Sequence, residues 1–286
     1  KEFKGLIQDS ASTATLSAIL CMREKALNWK GNTKGLKSLK QIRIYTSPES
    51  HSSISRAIWV AGIGEENLIR IPTNGSTRSM DLNSLRKAIN KDRKEGYLPA
   101  GIILCSGSTS CGAFDDLSKI LTLAKKENLF SHVDAAWSGS AMICPEFRYL
   151  WEGIEDADSV VFNPHKWLGA QFDCSIQFLS DPDIQKNTLS ITPEYLKTKD
   201  QDVTNFSELT IPLGRRFRAL KLWFLLRAEG LENLRMMIRN HISWSEELCK
   251  KLESRNDIQI VTKPILGLFT FSFIPQKIDN NKATEN

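Results

Sequence analysis

The sequence predicts an α/β fold in which helices cover a central sheet. Short apolar runs alternate with longer amphipathic runs along most of the 286 residues, and this alternation is typical of successive strand–helix units. The predicted core strands are continuously apolar rather than alternating, which indicates burial on both faces of the sheet. A hydrophobic content of 41% and a charged content of 25% fit a globular protein with a sizeable core.

The first third of the chain supplies five predicted elements. Residues 14–28 are predicted to form a helix because their leucines and isoleucines recur at helical spacing, and Ser10 or Ser12 offers its N-cap. The next expected elements are a strand (41–47), a helix (52–62), a strand (67–73) and another helix (80–96). The last of these helices is expected to be capped by Asp81 and to end at Gly96.

The remaining elements complete the expected sheet and begin a second unit. In chain order the pattern predicts a strand (100–106), a loop (107–116), a helix (117–129) and three strands (130–137, 159–163 and 172–180). Residues 181–213 show little regular pattern, and a loop of this length is either functional or disordered. Helices are expected up to about Leu252, followed by strands around 258–262 and 265–273.

The composition argues against several classes of protein. A net charge of +5 with scattered lysines argues against nucleic acid as a partner, and no apolar segment is long enough for a membrane span or resembles a signal peptide. The six cysteines form no C-x-x-C pair and no zinc-spaced cluster, so no metal site is expected. Reduced thiols in apolar runs indicate the cytoplasm. Because the chain begins at Lys1 rather than Met, we expect a fragment of a longer protein.

Two hydroxyl-rich segments could bind an anion. Ser10 and Ser12 in "DSASTATL" precede a helix, whose N-terminus offers free N–H groups and a favourable dipole. The loop "GSTS", residues 107–110, follows a strand at the sheet edge where α/β proteins bind ligands. Each segment also has a plainer interpretation, as an N-cap or as a turn.

Three further residues could hold the ring of a cofactor and react with it. Asp134 ends a buried strand before two alanines and could face a ring nitrogen. Lys166 follows 32 residues later, which would place it in the same cleft, where a desolvated lysine forms Schiff bases. His51 could stack on a flat ring. Each residue alone is better explained as a cap or a connector, but together with the phosphate donors they indicate pyridoxal phosphate.

Several motifs in a fixed order then point to one family. They are "HVDAAWSGSAMICPEFR", "FNPHKW", "FDCS" and "IPLGRRFRALKLWF". Through them the chain resembles the group II pyridoxal-phosphate decarboxylases, and among these the aromatic-L-amino-acid decarboxylases, from about Gly5 to Ser272. The resemblance implies fold type I of the pyridoxal-phosphate-dependent transferases, the aspartate-aminotransferase type, with a mixed, mostly parallel sheet. Residues 1–220 would form the large cofactor-binding domain, and residues 221–286 the start of a small α+β C-terminal domain.

By position, the resemblance implies a role for each candidate residue. Lys166 would carry the cofactor as an internal aldimine, Asp134 would pair with the pyridinium nitrogen, and His51 would stack on the ring. The other implied cofactor contacts are Ala11, Ser12 and Asn163 around the phosphate, Thr109 and Ala136 along the ring, and His165 beside the lysine.

The irregular span 181–213 matches the family's mobile catalytic loop. Within it, "PEYLKT" places Tyr195 at the tyrosine that returns a proton to the substrate carbon. Closure of such a loop would exclude water from the reaction. Tyr195 together with His51 therefore favours plain decarboxylation over aldehyde formation.

The chain also departs from the family pattern. Asp9 stands where the family has glycine, and Thr13 where it has glutamate. Because a carboxylate would repel a phosphate, we expect Asp9 to point away from the site. The resemblance further implies that an N-terminal, dimer-clasping segment and most of the C-terminal domain lie outside this sequence.

The resulting hypothesis is a carboxy-lyase that decarboxylates an L-amino acid, with an aromatic substrate favoured, to the amine and carbon dioxide. The resemblance implies a homodimer. Alternatives within the family are glutamate decarboxylase, histidine decarboxylase and aldehyde synthase. A different alternative is a truncated, non-catalytic paralogue, for which Asp9 and the missing N-terminal segment argue. An NAD-dependent Rossmann enzyme is disfavoured because no G-x-G-x-x-G follows a strand.

Overall fold

A seven-stranded sheet runs through the part of the chain that the structure, a computed structural model, describes: residues 2–191 and 204–274. The strands of this part are β1 (Lys4–Gln8), β2 (Ile42–Thr46), β3 (Leu68–Arg70), β4 (Thr73–Asn74), β5 (Ser79–Met80), β6 (Leu98–Cys105), β7 (Phe130–Asp134), β8 (Ser159–Phe162), β9 (Ser175–Leu179), β10 (Ile258–Ile265) and β11 (Leu268–Phe273). The order across the large sheet is β1-β9-β8-β7-β6-β2-β3. Strands β3, β2, β6, β7 and β8 are parallel, and β9 is antiparallel to both of its neighbours. The sheet is therefore mixed and mostly parallel, as predicted.

The helices lie where the amphipathic runs predict them, with two additions at residues 31–34 and 182–189. They are α1 (Ala11–Ala26), α2 (Gly31–Lys34), α3 (Ser53–Val60), α4 (Leu82–Lys94), α5 (Leu117–Lys126), α6 (Pro182–Leu189) and α7 (Arg218–Glu253). Two predicted caps are confirmed: the Thr13 N–H donates to Ser10 Oγ at 3.2 Å, and the Ser84 N–H donates to Asp81 Oδ1 at 2.7 Å. These bonds fix where α1 and α4 begin because each satisfies an N–H that the helix leaves free.

Besides the short α2, β4 and β5, two elements lie where the sequence-based assignment has none. Helix α6 lies within the span that lacked a predicted pattern; Asp181 caps it by accepting from the Asp183 N–H at 3.0 Å, and Pro182 occupies its first turn. Strand β1 was not predicted either, and it pairs with β9 at the sheet edge.

The connection between β7 and β8 consists of short 3-10 turns rather than one continuous helix. These turns are Ser138–Ile143, Pro145–Trp151 and Ile154–Asp156. Gly139 explains part of the difference: a Cβ there would lie 2.6 Å from Phe162 Cβ, so the first turn passes too close to β8 for a side chain. Pro145 and Gly153, the latter with φ of +88°, then interrupt any longer helix.

Two apolar clusters cover the two faces of the sheet. One joins the sheet to α1 and α3, and the other joins it to α4, α5, the 3-10 turns and the second half of α7. Gly101 in β6 permits the close contact with α1, because a Cβ there would lie 2.4 Å from Met22 Sδ and 2.8 Å from Phe130 O. Helix α1 thus packs directly onto the sheet backbone.

A buried polar network crosses the sheet beneath α1. The His132 ring lies between two hydroxyls, with Nε2 at 3.3 Å from Thr15 Oγ1 and Nδ1 at 2.9 Å from Ser159 Oγ. Gln177 donates to the same Ser159 hydroxyl at 3.1 Å, and Gln8 donates to Gln177 at 3.0 Å. The network supplies partners for polar side chains that would be unfavourable in this apolar setting without them.

Helix α7 is broken at Gly230, which has φ of 72° and ψ of 164°. Its second half buries Ile238 and Ile242 in the core cluster of the sheet, together with Leu266 from the β10–β11 turn. The predicted domain boundary at residue 220 falls near the start of α7 and stays a prediction. Within residues 2–191 and 204–274, every helix is too short or too polar to span a membrane.

Candidate active site

A cavity of about 310 Å³ opens where strands β6, β7 and β8 end. Cys105 and Asp134 are the last residues of β6 and β7, and Asn163 follows the last residue of β8. The carboxyl ends of parallel strands form the edge at which α/β folds bind ligands. All nine cofactor-binding residues predicted from the sequence line this one cavity: Ala11, Ser12, His51, Thr109, Asp134, Ala136, Asn163, His165 and Lys166. Tyr195, the remaining predicted catalytic residue, lies outside the described residues.

Asp134 places a carboxyl group at the end of β7. Its Oδ1 accepts a hydrogen bond from the Ala136 N–H at 3.0 Å. Burial raises the pKa of this carboxyl, and the bond from Ala136 together with the positive charges of Lys166 and His51 opposes the rise. A carboxylate that is held in a poorly solvated place in this way favours a cationic partner.

Lys166 lies in the turn after β8. The Asn163 N–H donates to the Ala136 carbonyl at 2.8 Å, and the Lys166 N–H donates to the Asn163 carbonyl at 2.9 Å, so the turn is tied to the end of β7. Asn163 is held in addition by the Ser175 hydroxyl, which donates to its Oδ1 at 2.6 Å. The Lys166 side chain itself is exposed. This exposure contradicts the expectation of a desolvated amine at Lys166.

His51 and Thr109 stand on two loops that border the cavity. His51 Nδ1 accepts from the Ser53 N–H at 3.2 Å, so this residue caps the start of α3 and also lines the cavity. Thr109 belongs to the loop after β6, and Cys111 of that loop lies with its Sγ 3.1 Å from Glu49 Oε2. The thiol–carboxylate contact connects the Thr109 loop to the segment that carries His51.

The N-terminus of α1 reaches the cavity through Ser10, Ala11 and Ser12. Asp9 does not line the cavity; its Oδ1 accepts from the Ser10 N–H at 2.9 Å. Burial and the charge of Arg218 lower the pKa of Arg215, and the charge of Asp9 opposes this change. Asp9 thus stays out of the cavity lining, as expected, while its carboxylate accepts from the first N–H of the α1 N-terminus.

His165 connects the lysine turn to β9. Its Nδ1 accepts from the Cys174 N–H at 2.8 Å, and its ring lies 4.7 Å from that of Phe172. Burial and the neighbouring Lys166 charge lower the pKa of His165, so the ring is neutral near pH 7. Asp173 of the same loop pairs with Arg218 at 2.8 Å, and that hydrogen bond lowers the pKa of the carboxyl.

The sequence did not identify four other residues that line the cavity. They are Ser53, Cys105, Trp137 and Phe172. Trp137 could have been found because it lies three residues after Asp134, in the same strand-end segment. Phe172 belongs to the loop between β8 and β9, and no spacing rule places a loop aromatic against a site.

Comparison with known proteins decides the family. Residues 1–274 match the model of the family described as the pyridoxal-dependent decarboxylase conserved domain. The chain belongs to this family. The predicted fold type and cofactor, pyridoxal phosphate, are thereby confirmed, and the predicted enzyme class, carboxy-lyase, is that of the family.

Individual relatives show which members of the pyridoxal-dependent decarboxylase family this chain resembles. The phenylacetaldehyde synthase of Arabidopsis thaliana is 38% identical over 283 residues, which are 98% of this chain and 57% of that protein. The aromatic-L-amino-acid decarboxylase of Mus musculus is 39% identical over 274 residues, 93% of this chain and 56% of that protein. A crystal structure of Oryza sativa TDC with PLP and tryptamine matches with a TM-score of 0.89 and 30% identity, over 95% of this chain and 56% of that one. The chain thus spans somewhat more than half the length of these relatives.

The described residues of this family member fit pyridoxal phosphate. An anionic phosphate suits the free N–H groups at the start of α1. A ring nitrogen that carries a proton suits the poorly solvated carboxylate of Asp134. An aldehyde requires an amine within reach, and Lys166 lines the same cavity. These three features come from three separate segments, which makes the fit specific.

Proposed function

We propose that this chain carries the active site of a pyridoxal-phosphate-dependent decarboxylase that converts an aromatic L-amino acid to its amine and carbon dioxide. The observation that carries the proposal is the single cavity on which Lys166, Asp134, His51 and the N-terminus of α1 converge. A connector loop or a set of plain caps would not require these groups to face one space.

Each residue has a role that follows from its surroundings. Lys166 would hold the cofactor through its Nζ, and the N–H groups of Ala11 and Ser12 would hold the phosphate. Asp134 would keep the ring nitrogen protonated by stabilising its positive charge, while His51 and Thr109 would bound the ring. When bound, pyridoxal phosphate supplies an electron-accepting ring beside the bond to the carboxylate.

The substrate class rests on the relatives and on Tyr195. An aromatic-L-amino-acid decarboxylase and a structure with bound tryptamine support an aromatic substrate. An aldehyde product is the second candidate, because a phenylacetaldehyde synthase is similar over 98% of this chain. We infer that Tyr195 returns the proton to the substrate carbon, which favours the amine as product.

The protein is further proposed to act as a cytoplasmic homodimer. The six cysteines are all free, as in a reducing compartment. An apolar surface at the start of α7 supports self-association, with Phe217, Trp223 and Phe224 exposed by 76%, 54% and 58%.

The proposal is tested by replacing the lysine. The purified protein with pyridoxal phosphate is expected to show a visible absorption band that borohydride abolishes, and mass spectrometry should locate the reduced label on Lys166. Lys166→Ala should lose the band and the product, because no other amine lines the cavity within the described residues. Lys221→Ala, which removes a lysine that pairs with Asp173 at 3.5 Å, is the control. A Lys166→Ala protein that forms the amine at the normal rate would contradict the proposal.

The substrate class is tested separately with a panel of amino acids. Tryptophan, tyrosine and DOPA are offered beside glutamate and histidine, and carbon dioxide, amine and aldehyde are measured together. An aromatic amine as the main product supports the proposal. Turnover of glutamate alone, or aldehyde in place of amine, would replace it by one of the alternatives within the family.

A further inference from the structure

Trp167 connects the lysine turn to the C-terminal helix. It directly follows Lys166, and its indole Nε1 donates a hydrogen bond to Nδ1 of His241, in the second half of α7, at 3.0 Å. The two residues are 74 positions apart in the chain. A side chain beside the predicted reactive lysine is thus held by an element from outside the sheet.

The indole is also enclosed by apolar contacts. The ring of Trp137, which lines the cavity, lies 5.3 Å from the ring of Trp167 at an angle of 43°. On another side, a Cβ at Gly267 would lie 3.3 Å from Trp167 Cζ2, so the β10–β11 turn reaches the indole. Trp167 is therefore shared by the cavity wall, the lysine turn and the C-terminal segment.

The hydrogen bond fixes the state of His241. An indole N–H can only donate, so Nδ1 of the histidine must present its lone pair. In this arrangement Nδ1 of His241 acts as the acceptor. Because apolar contacts alone allow a ring to slide or tilt, this directional bond determines the orientation of the indole.

We propose that His241 is a positioning residue for the active site. Through Trp167 it holds the turn that carries Lys166 and the Trp137 side of the cavity. The expected effect of His241 on cofactor binding rests on the proposed function. The hydrogen bond between Trp167 and His241 is present in the protein without cofactor.

The test compares two substitutions of His241 by amide side chains, which place their oxygen at different distances from the backbone. His241→Asn can place Oδ1 close to the position of Nδ1 and keep an acceptor for the indole. His241→Gln carries its oxygen one bond further out, and Trp167→Phe keeps a ring but removes the donor. For each variant, the dissociation constant of pyridoxal phosphate is measured by absorbance, and the Trp167 indole N–H is followed by NMR without cofactor, with Trp167→Phe used to assign its signal.

The expected results follow from the loss of one hydrogen bond. His241→Gln and Trp167→Phe should each weaken cofactor binding about threefold to tenfold, the range of a typical net hydrogen-bond contribution, whereas His241→Asn should stay within about twofold of wild type. In the Trp167→Phe background, His241→Gln should have no further effect, because both changes break the same bond.

Three results would overturn the inference. One is a folded His241→Gln protein that binds the cofactor as wild type does and leaves the Trp167 resonance unmoved. Another is an undiminished effect of His241→Gln in the Trp167→Phe background, and the third is a loss of binding in His241→Asn equal to that in His241→Gln. If the wild type binds no pyridoxal phosphate, the proposed function fails, and the NMR comparison still decides whether His241 orients Trp167.

Discussion

Asp134 ends β7 with a carboxylate whose pKa is raised by burial and held down by Ala136, Lys166 and His51. Asp134→Asn keeps the shape and removes the charge. We expect kcat to fall about 100-fold or more, the usual loss when one preorganised electrostatic partner is removed, while borohydride still labels Lys166. Steady-state kinetics with an aromatic amino acid and peptide mapping check this. Unchanged kcat would mean that this charge has no part in the reaction.

His132 and Asp115 give the protein two opposed responses to acid. Burial lowers the pKa of His132 to about 3, so between about pH 6.5 and 3 the unfolded chain binds a proton that the folded chain does not, and stability falls as the pH falls. Burial raises the pKa of Asp115 to about 6 against two backbone hydrogen bonds. Between about pH 4 and 6 the folded state therefore holds the extra proton, and the Asp115 contribution to stability falls as the pH rises.

The two substitutions should change the pH dependence in opposite directions. Urea unfolding at pH 4.5, 5.5 and 6.5 should show a smaller acid loss of stability in His132→Gln and a larger one in Asp115→Asn than in wild type. Each group contributes a slope of up to about 1.4 kcal/mol per pH unit in its window. A substitution that lowers the free energy of unfolding equally at every pH does not affect the test, because the test compares the slopes of this free energy against pH. Parallel curves for all three proteins would refute the assignment.

The sequence could predict that the candidate residues come together, because most of them follow strand ends. Asp134 and Asn163 end apolar runs, and the topology of a parallel sheet then brings them to one edge. Phe172 and the exposure of Lys166 could not be predicted in this way, because both depend on how loops turn after the strands end. The hydrogen bond from Trp167 to His241 could not be predicted either, because the two residues are 74 positions apart and no sequence pattern connects them.

At the scale of elements, the contact between α1 and β6 depends on Gly101. Gly101→Ala would bring a Cβ to 2.4 Å from Met22 Sδ and 2.8 Å from a backbone oxygen, which cannot move as a side-chain tip can. We expect a loss of about 1–3 kcal/mol in the free energy of unfolding. Gly214→Ala is the matched control, because no atom lies within 4 Å of its added Cβ. Equal unfolding midpoints for the two variants would show that the helix can shift to accommodate the methyl group.

The elements that the sequence missed share a physical cause. Helix α6 has only eight residues, and its start depends on the Asp181 cap and Pro182 rather than on a long apolar period. Strand β1 is a five-residue edge strand whose pairing with β9 is a long-range contact. By contrast, β6 is buried along most of its length and therefore shows as a continuous apolar run.

At the scale of the whole molecule, the proposed homodimer can be measured directly. Sedimentation velocity should give a dimer for this 32.3 kDa chain, and the double variant Trp223→Glu, Phe224→Glu should shift it towards monomer because charges would enter an apolar contact. Tyr149→Glu, which alters a residue that is 70% exposed in the Pro145–Trp151 turn, is the control. A dimer unaffected by the double variant would place the interface elsewhere.

Gly230 has a consequence for how the two ends of α7 can evolve. Its φ of 72° with ψ of 164° belongs to a region that only glycine occupies readily, so a mutation there would force the backbone to a new angle. The apolar surface around Trp223 would then swing relative to the half of α7 that carries His241. A single codon would therefore couple the proposed subunit contact to the proposed positioning of Lys166, and selection on either property would constrain the other.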